Sequence, residues 1–208
     1  MKSKQLLLTC LLTALPDSAW SASVAPPQRE ENGMQAVALA SPPVTQLRMG
    51  RLNVLLEKST LRQIRDAIGV GSIAHPEEDD GGDWLCYTVK GGTAPERVWL
   101  IGDAAQRLMT IQAAQTAGAP SPACPQLPRT FLPLRFDKDI WLKQASSRLT
   151  RVYGAPSLNA GARWAYAYTG KIAPARRSGA ADADAERSNR LEADIKDGVI
   201  VAAQSGAD

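Results

Sequence analysis

Trp84-Leu85-Cys86-Tyr87-Thr88-Val89 and Trp164-Ala165-Tyr166-Ala167-Tyr168-Thr169 are the two stretches on which the fold of this chain turns. Both open with tryptophan and are rich in aromatic or β-branched residues, which suit a pleated, half-buried surface, so each reads as a strand. A short amphipathic helix precedes each. In the first region Ser59 or Thr60 caps a helix with Leu61, Ile64, Ala67 and Ile68 on one side and Gly69 at its end. In the second, Ser146 or Ser147 caps one carrying Leu149, Val152 and Tyr153, stopped by Gly154 with Pro156 beyond.

Two further strands follow each Trp-led strand, over 97–101 and 108–115 in the first region and over 190–195 and 198–204 in the second. The last pair shares Ile-x-Ala-Ala-Gln, from Ile111 to Gln115 and from Ile200 to Gln204, and Asp197-Gly198 is a tight-turn dipeptide. The expected class is therefore α+β: two related units, each of short helices packed on a small antiparallel sheet. The first unit spans 44–116 and the second 134–208. Between them, 117–133 carries Gly118, Pro120, Pro122, Pro125, Pro128 and Pro133, which rule out a continuous helix or a central strand and mark a Pro-rich linker.

The N-terminus begins with Lys2 and Lys4, continues as an apolar run from Leu6 to Leu15, and reaches Pro16 and the small residues Ala19, Ser21 and Ala22. That order is the one expected of a signal peptide over 1–21, cut after Ser21, with Ala22 or Ala25 as alternative last residues. Cys10 sits inside the apolar run and follows Thr9, a poor setting for lipid attachment. No later stretch approaches the roughly 18 apolar residues of a membrane helix, so a periplasmic or secreted product without stable membrane insertion is expected. Pro26, Pro27, Pro42 and Pro43 and the lack of periodicity make 22–43 a flexible leader.

Losing Lys2, Lys4 and Asp17 takes the net charge from +3 to about +2. No dense basic stripe remains to displace phosphate counterions, which argues against a nucleic-acid partner. Cys86 and Cys124 survive processing. An even pair in an oxidising compartment reads as one disulfide, against two separate buried thiols.

A helix ending in Ile-Gly or Tyr-Gly-x-Pro, a Trp-led strand and a final Asp-Gly hairpin strand resemble the SmpA/OmlA and β-lactamase-inhibitory-protein-like group over about 160 residues, from near Leu47 to Asp208. The tandem arrangement looks more like the inhibitor. The resemblance implies a helix-on-sheet unit used twice, and binding of proteins rather than catalysis. Gly69-Val70-Gly71 stands where the pattern has Gly-x-Pro, and Lys143 where a glycine would precede the second helix.

His75 is the chain's single histidine, in a loop before Pro76, and two cysteines 38 positions apart make no zinc spacing with it. The acidic run 77–83 lacks the alternating ligand positions of a calcium loop, and Gly69-x-Gly71 is a helix stop rather than a phosphate cradle. No catalytic residue, metal site or cofactor is expected. Strand alternation puts Trp164, Tyr166 and Tyr168 on one face and Ala165 and Ala167 on the other, where small side chains would admit a helix. With the helix over the alanines, the aromatic face stays open. Together with Arg163, Trp84 and Trp99 it is the candidate partner-binding surface, of the residue types that dominate protein interfaces; the alternative is that the rings fill the core. Residues 173–189, with Arg176-Arg177, read as a mobile hairpin loop. The expected function is a monomeric, non-catalytic exported protein that binds another protein, inhibitor-like or assembly-factor-like. A small-molecule binder or a small hydrolase with a dispersed site is the alternative.

Overall fold

In a computed structural model, which describes residues 24–28, 36–76, 82–90, 94–116, 119–156, 161–171 and 186–207, the expected strands and helices form where their residues place them. The order is β1 (Val37–Ala38), β2 (Gln46–Met49), β3 (Leu52–Leu55), α1 (Leu61–Ile68), β4 (Trp84–Val89), β5 (Glu96–Gly102), β6 (Leu108–Gln115), β7 (Leu134–Phe136), α2 (Ser147–Tyr153), β8 (Arg163–Lys171), β9 (Glu186–Lys196) and β10 (Val199–Ala207). Thr60 closes a capping box on α1: its Oγ1 accepts from the Gln63 N–H at 3.2 Å and its own N–H donates to Gln63 Oε1 at 3.0 Å. Gly69, at φ 79°, ends that helix by donating its N–H to the Arg65 carbonyl. Asp197 and Gly198, with φ of 51° and 74°, make the turn between β9 and β10.

The expectation of two α+β units is overturned. Among the described residues strand makes up 47% and helix 14%, and there is one large mixed sheet rather than two small ones. The cause is a pairing that local periodicity does not encode. β6 and β10 lie side by side and antiparallel, Ala113 opposite Ala203 and Gln112 opposite Gln204, so the two triplets of strands fuse. The seven-stranded order is β1-β8-β9-β10-β6-β5-β4, with β1 added in parallel to β8. A second sheet, β3-β2-β7, has no counterpart among the sequence expectations.

Both helices and the small sheet bury their apolar residues against one face of the large sheet. A single cluster joins Leu61, Ile64 and Ile68 of α1, Leu149 and Tyr153 of α2 and Leu47, Met49 and Leu134 of the small sheet to Leu85, Leu100, Ile111, Leu191 and Ala203. Side chains from both sides of the Pro-rich stretch thus share one core. That stretch folds over the β4 edge: Cys124 bonds to Cys86 with Cα atoms 4.7 Å apart, the Thr88 N–H donates to the Pro125 carbonyl and the Leu127 N–H to Thr88. Ala74 pairs with Trp84 at the other end of β4, so both ends of this edge strand are covered.

Order also begins earlier than Val44, where the leader was expected to end. The Leu39 N–H donates to the Ala167 carbonyl, and the Tyr153 hydroxyl donates to the buried Pro43 carbonyl at 2.8 Å. The expected signal peptide, the acidic residues 77–81 and most of the Arg- and Ala-rich hairpin loop lie outside the described residues.

Trp164, Tyr166 and Tyr168 lie on the core face of β8, not on an open one. Tyr166 is 0% exposed; its ring packs 5.2 Å from that of Tyr153 in α2, and its hydroxyl donates to the Gly154 carbonyl. The helix covers the aromatic face because rings bury far more apolar area against it than alanine methyls would. Tyr87 is the corresponding residue of β4, also buried, its hydroxyl donating to Val70 just past α1. Trp84 and Trp164, although each opens its strand, fall on opposite faces of the sheet.

Burial pushes the Tyr166 phenol up to about 12. Burial also raises Tyr87, with Arg65 pulling back, and Tyr153, with Asp137 and Tyr166 adding to the rise. An unfolded tyrosine loses its proton near pH 10, so the unfolded chain binds fewer protons than the native one above that pH. The tyrosines' contribution is intact below pH 10 and is lost as pH rises through the folded values. Urea unfolding midpoints should fall steeply between about pH 10 and 12, and Tyr166→Phe should flatten that fall; an equal slope in the variant would contradict the burial.

Candidate interaction face

The opposite face of the large sheet is built by the alternate residues of the same strands. Following the strand registers, its central row runs Cys86, Trp99, Gln112, Gln204, Glu192, Ala165. On one side lies the row Thr88, Arg97, Ala114, Ala202, Asp194, Arg163, and on the other Trp84, Ile101, Thr110, Gly206, Arg190, Ala167. Arg97 and Arg190 lie in the two outer rows, on opposite sides of the Gln112–Gln204 pair.

Chemistry is graded across this face. Its middle is shallow, floored by Ala114, Ala202, Thr110 and Gly206, with the Gln112 amide donating to Gln204 Oε1 at 2.9 Å. One flank is aromatic and apolar: Trp99, half-buried Trp84 and Ile101 gather around the disulfide. The other is charged, with Arg163 to Asp194 at 2.8 Å and Arg190 to Glu192 at 2.7 Å. Four buried polar atoms have no hydrogen-bond partner among the described residues: Gln112 Oε1, Arg97 Nε, Arg190 Nε and, on the core side, Ser205 Oγ, although Arg190 Nε lies 2.7 Å from the Glu192 carboxylate. Gln112 is only 7% exposed, so an unpaired acceptor there carries a desolvation cost of about 1–3 kcal/mol.

The sequence-predicted site residues divide between the two faces. Half-buried Trp84 and Arg163 lie on this side with Trp99, which is itself buried; Trp164 and Tyr168 are half-buried on the core side, and Tyr166 is wholly enclosed. Gln112, Gln204, Arg97 and Arg190 were missed. Strand alternation separates them from the core positions of their own strands, but only the β6–β10 pairing brings the two glutamines together. Val24 also reaches this face, where its carbonyl accepts from the Trp99 indole N–H at 2.9 Å.

His75 pairs with Asp83, Nδ1 to Oδ1 at 2.6 Å, and the other Asp83 oxygen accepts from Gln106. That arrangement ties the loop after α1 to the start of β4. A polar groove of about 310 Å³ on the small sheet is lined by Arg48, Arg135, Asp137, Lys138 and Asp139 among others. Its charges are spent on one another: Arg48 holds Asp139 at 2.6 Å, and Asp137 accepts from the Thr45 N–H and hydroxyl. Among the described residues no helix is long and apolar enough to cross a membrane. No protein-family model, curated protein or solved structure matches the chain.

Proposed function

We propose that this is an exported binding protein, without an active site of its own, that holds a protein partner on the open face of its seven-stranded sheet in an inhibitor-like or assembly-factor-like role. The observation that carries the reading is the layout of that face, where the Gln112–Gln204 amide pair lies between an aromatic flank and a charged one while both helices and the small sheet pack elsewhere. Aromatic residues at one flank and arginines at the other are the types that supply most binding energy at protein interfaces. A shallow trough of small side chains lets a partner's backbone approach the sheet closely. The Cys86–Cys124 disulfide supports an oxidising compartment, periplasmic or extracellular, as does the residue order at the N-terminus.

A photo-crosslinking residue placed at Gln204, with a control at exposed Arg62 on α1, tests the assignment in cells. Crosslinks to one discrete protein from position 204 and none from 62 are expected. The same product from 62 alone, or none from either, would sink the open-face assignment.

A further inference from the structure

Val24 comes from far outside the sheet in sequence, yet it sits on the aromatic flank of the open face at the head of the short segment Val24-Ala25-Pro26-Pro27-Gln28. Val24 packs on the cluster of Cys86, Trp99 and Cys124, with Trp84, Ile101 and Ala114 around it. Its carbonyl takes the Trp99 indole N–H at 2.9 Å, across 75 positions of sequence. Trp99 is 5% exposed, so this donor has little access to water and its partner matters. The match is chemical as well as steric. Indole N–H is a donor only, and the Pro26-Pro27 pair, lacking N–H groups, leaves this stretch of backbone richer in acceptors than donors. Prolines also restrict the free chain, which lowers the entropy lost when such a segment is fixed in place.

We propose that the Trp84–Trp99 flank is a recognition seat for a non-helical peptide segment with an aliphatic residue just ahead of a Pro-Pro pair. The protein's own Val24–Gln28 is the occupant in cis, and a partner presenting a segment of the same chemistry takes the face by displacing it. This rests on the open face being the partner-binding face. Val37 and Ala38, paired to β8, anchor the chain that follows the occupant. The tether gives it an effective concentration on the order of millimolar, so a weak free peptide competes poorly until the arm is released.

The test uses a labelled peptide of sequence SASVAPPQ, residues 21–28, and the oxidised full chain. The Val24→Asp protein, whose arm no longer fits an apolar seat, should bind the peptide, and the unaltered protein should bind it at least about tenfold more weakly. A peptide carrying the same Val24→Asp change should not bind. Trp99→Phe in the released background keeps the ring, loses the donor, and should weaken binding by about 5–10-fold. Equal peptide binding to released and unaltered protein, or none to either, overturns the proposal. Should the Phe variant fail to fold, hydrogen exchange at the Trp99 indole decides: it should speed up at least tenfold in Val24→Asp, and unchanged protection overturns the seat. Crosslinking at Gln204 reads the wider face, so loss of one result without the other separates the two readings.

Discussion

Replacing Tyr166 with alanine should lower the free energy of unfolding by about 3–5 kcal/mol, the cost of removing a large ring from a closed core. The ring is fully enclosed, contacts Tyr153 of α2, and anchors the end of that helix through the Gly154 carbonyl. Tyr166→Phe keeps the packing and gives up one hydrogen bond, so its loss should be near 1 kcal/mol. Arg163→Ala, three residues earlier on the same strand but on the other face, removes a part-exposed ion pair with Asp194 and should cost no more than about 1 kcal/mol. Urea unfolding of the three variants discriminates directly between a core ring and a surface contact. A Tyr166→Ala protein within about 0.5 kcal/mol of the parent would be the behaviour of a surface residue and would refute its place in the core.

Removing the disulfide by Cys86→Ser with Cys124→Ser should cost up to about 4 kcal/mol, since the bond closes a loop with its ends 38 positions apart. The loss is not confined to chain entropy. Thr88 donates its hydroxyl to the Cys124 carbonyl, and backbone bonds at Pro125 and Leu127 continue the strap along β4. Cys86 and Cys124 also form the floor under Val24 and Trp99, so the arm should loosen with the bond. Unfolding midpoints with and without reductant should differ in the parent and coincide in the double variant. A change below about 1 kcal/mol would mean that the strap holds without its covalent tie.

Local elements were legible because local residues decide them. Thr60 with Gln63 starts α1, Gly69 stops it, Asp197-Gly198 turns the last hairpin, and strand alternation is visible from Trp84 and Trp164 onward. What failed was the choice of which tryptophans and tyrosines correspond. Trp84 faces away from the core and Trp164 towards it, and Tyr87 and Tyr166 are both core rings. The pairing of β6 with β10 joins residues about 90 positions apart, and nothing in either strand alone names its neighbour. The small sheet was missed because its strands have only three or four residues, too few for a period to show. One local signal went unread: Gly50, at φ 58° between β2 and β3, where a Cβ would run into the Thr130 carbonyl. The open-face centre escaped for the same reason as the fusion, since Gln112 and Gln204 acquire meaning only when the seam brings them together.

The position of β10 sets the order in which this molecule can be completed. Among the described residues it follows the other nine strands in sequence, yet it is fourth of seven in the large sheet, between β9 and β6. During synthesis β4, β5 and β6 stand as a half-built wall with its inner edge bare, and β8 with β9 as another; neither has its neighbour until Val199–Ala207 arrives. Long-range closure of this kind is slow compared with helix and hairpin formation. A keystone strand delivered after all the others keeps both half-sheets unfinished until it arrives.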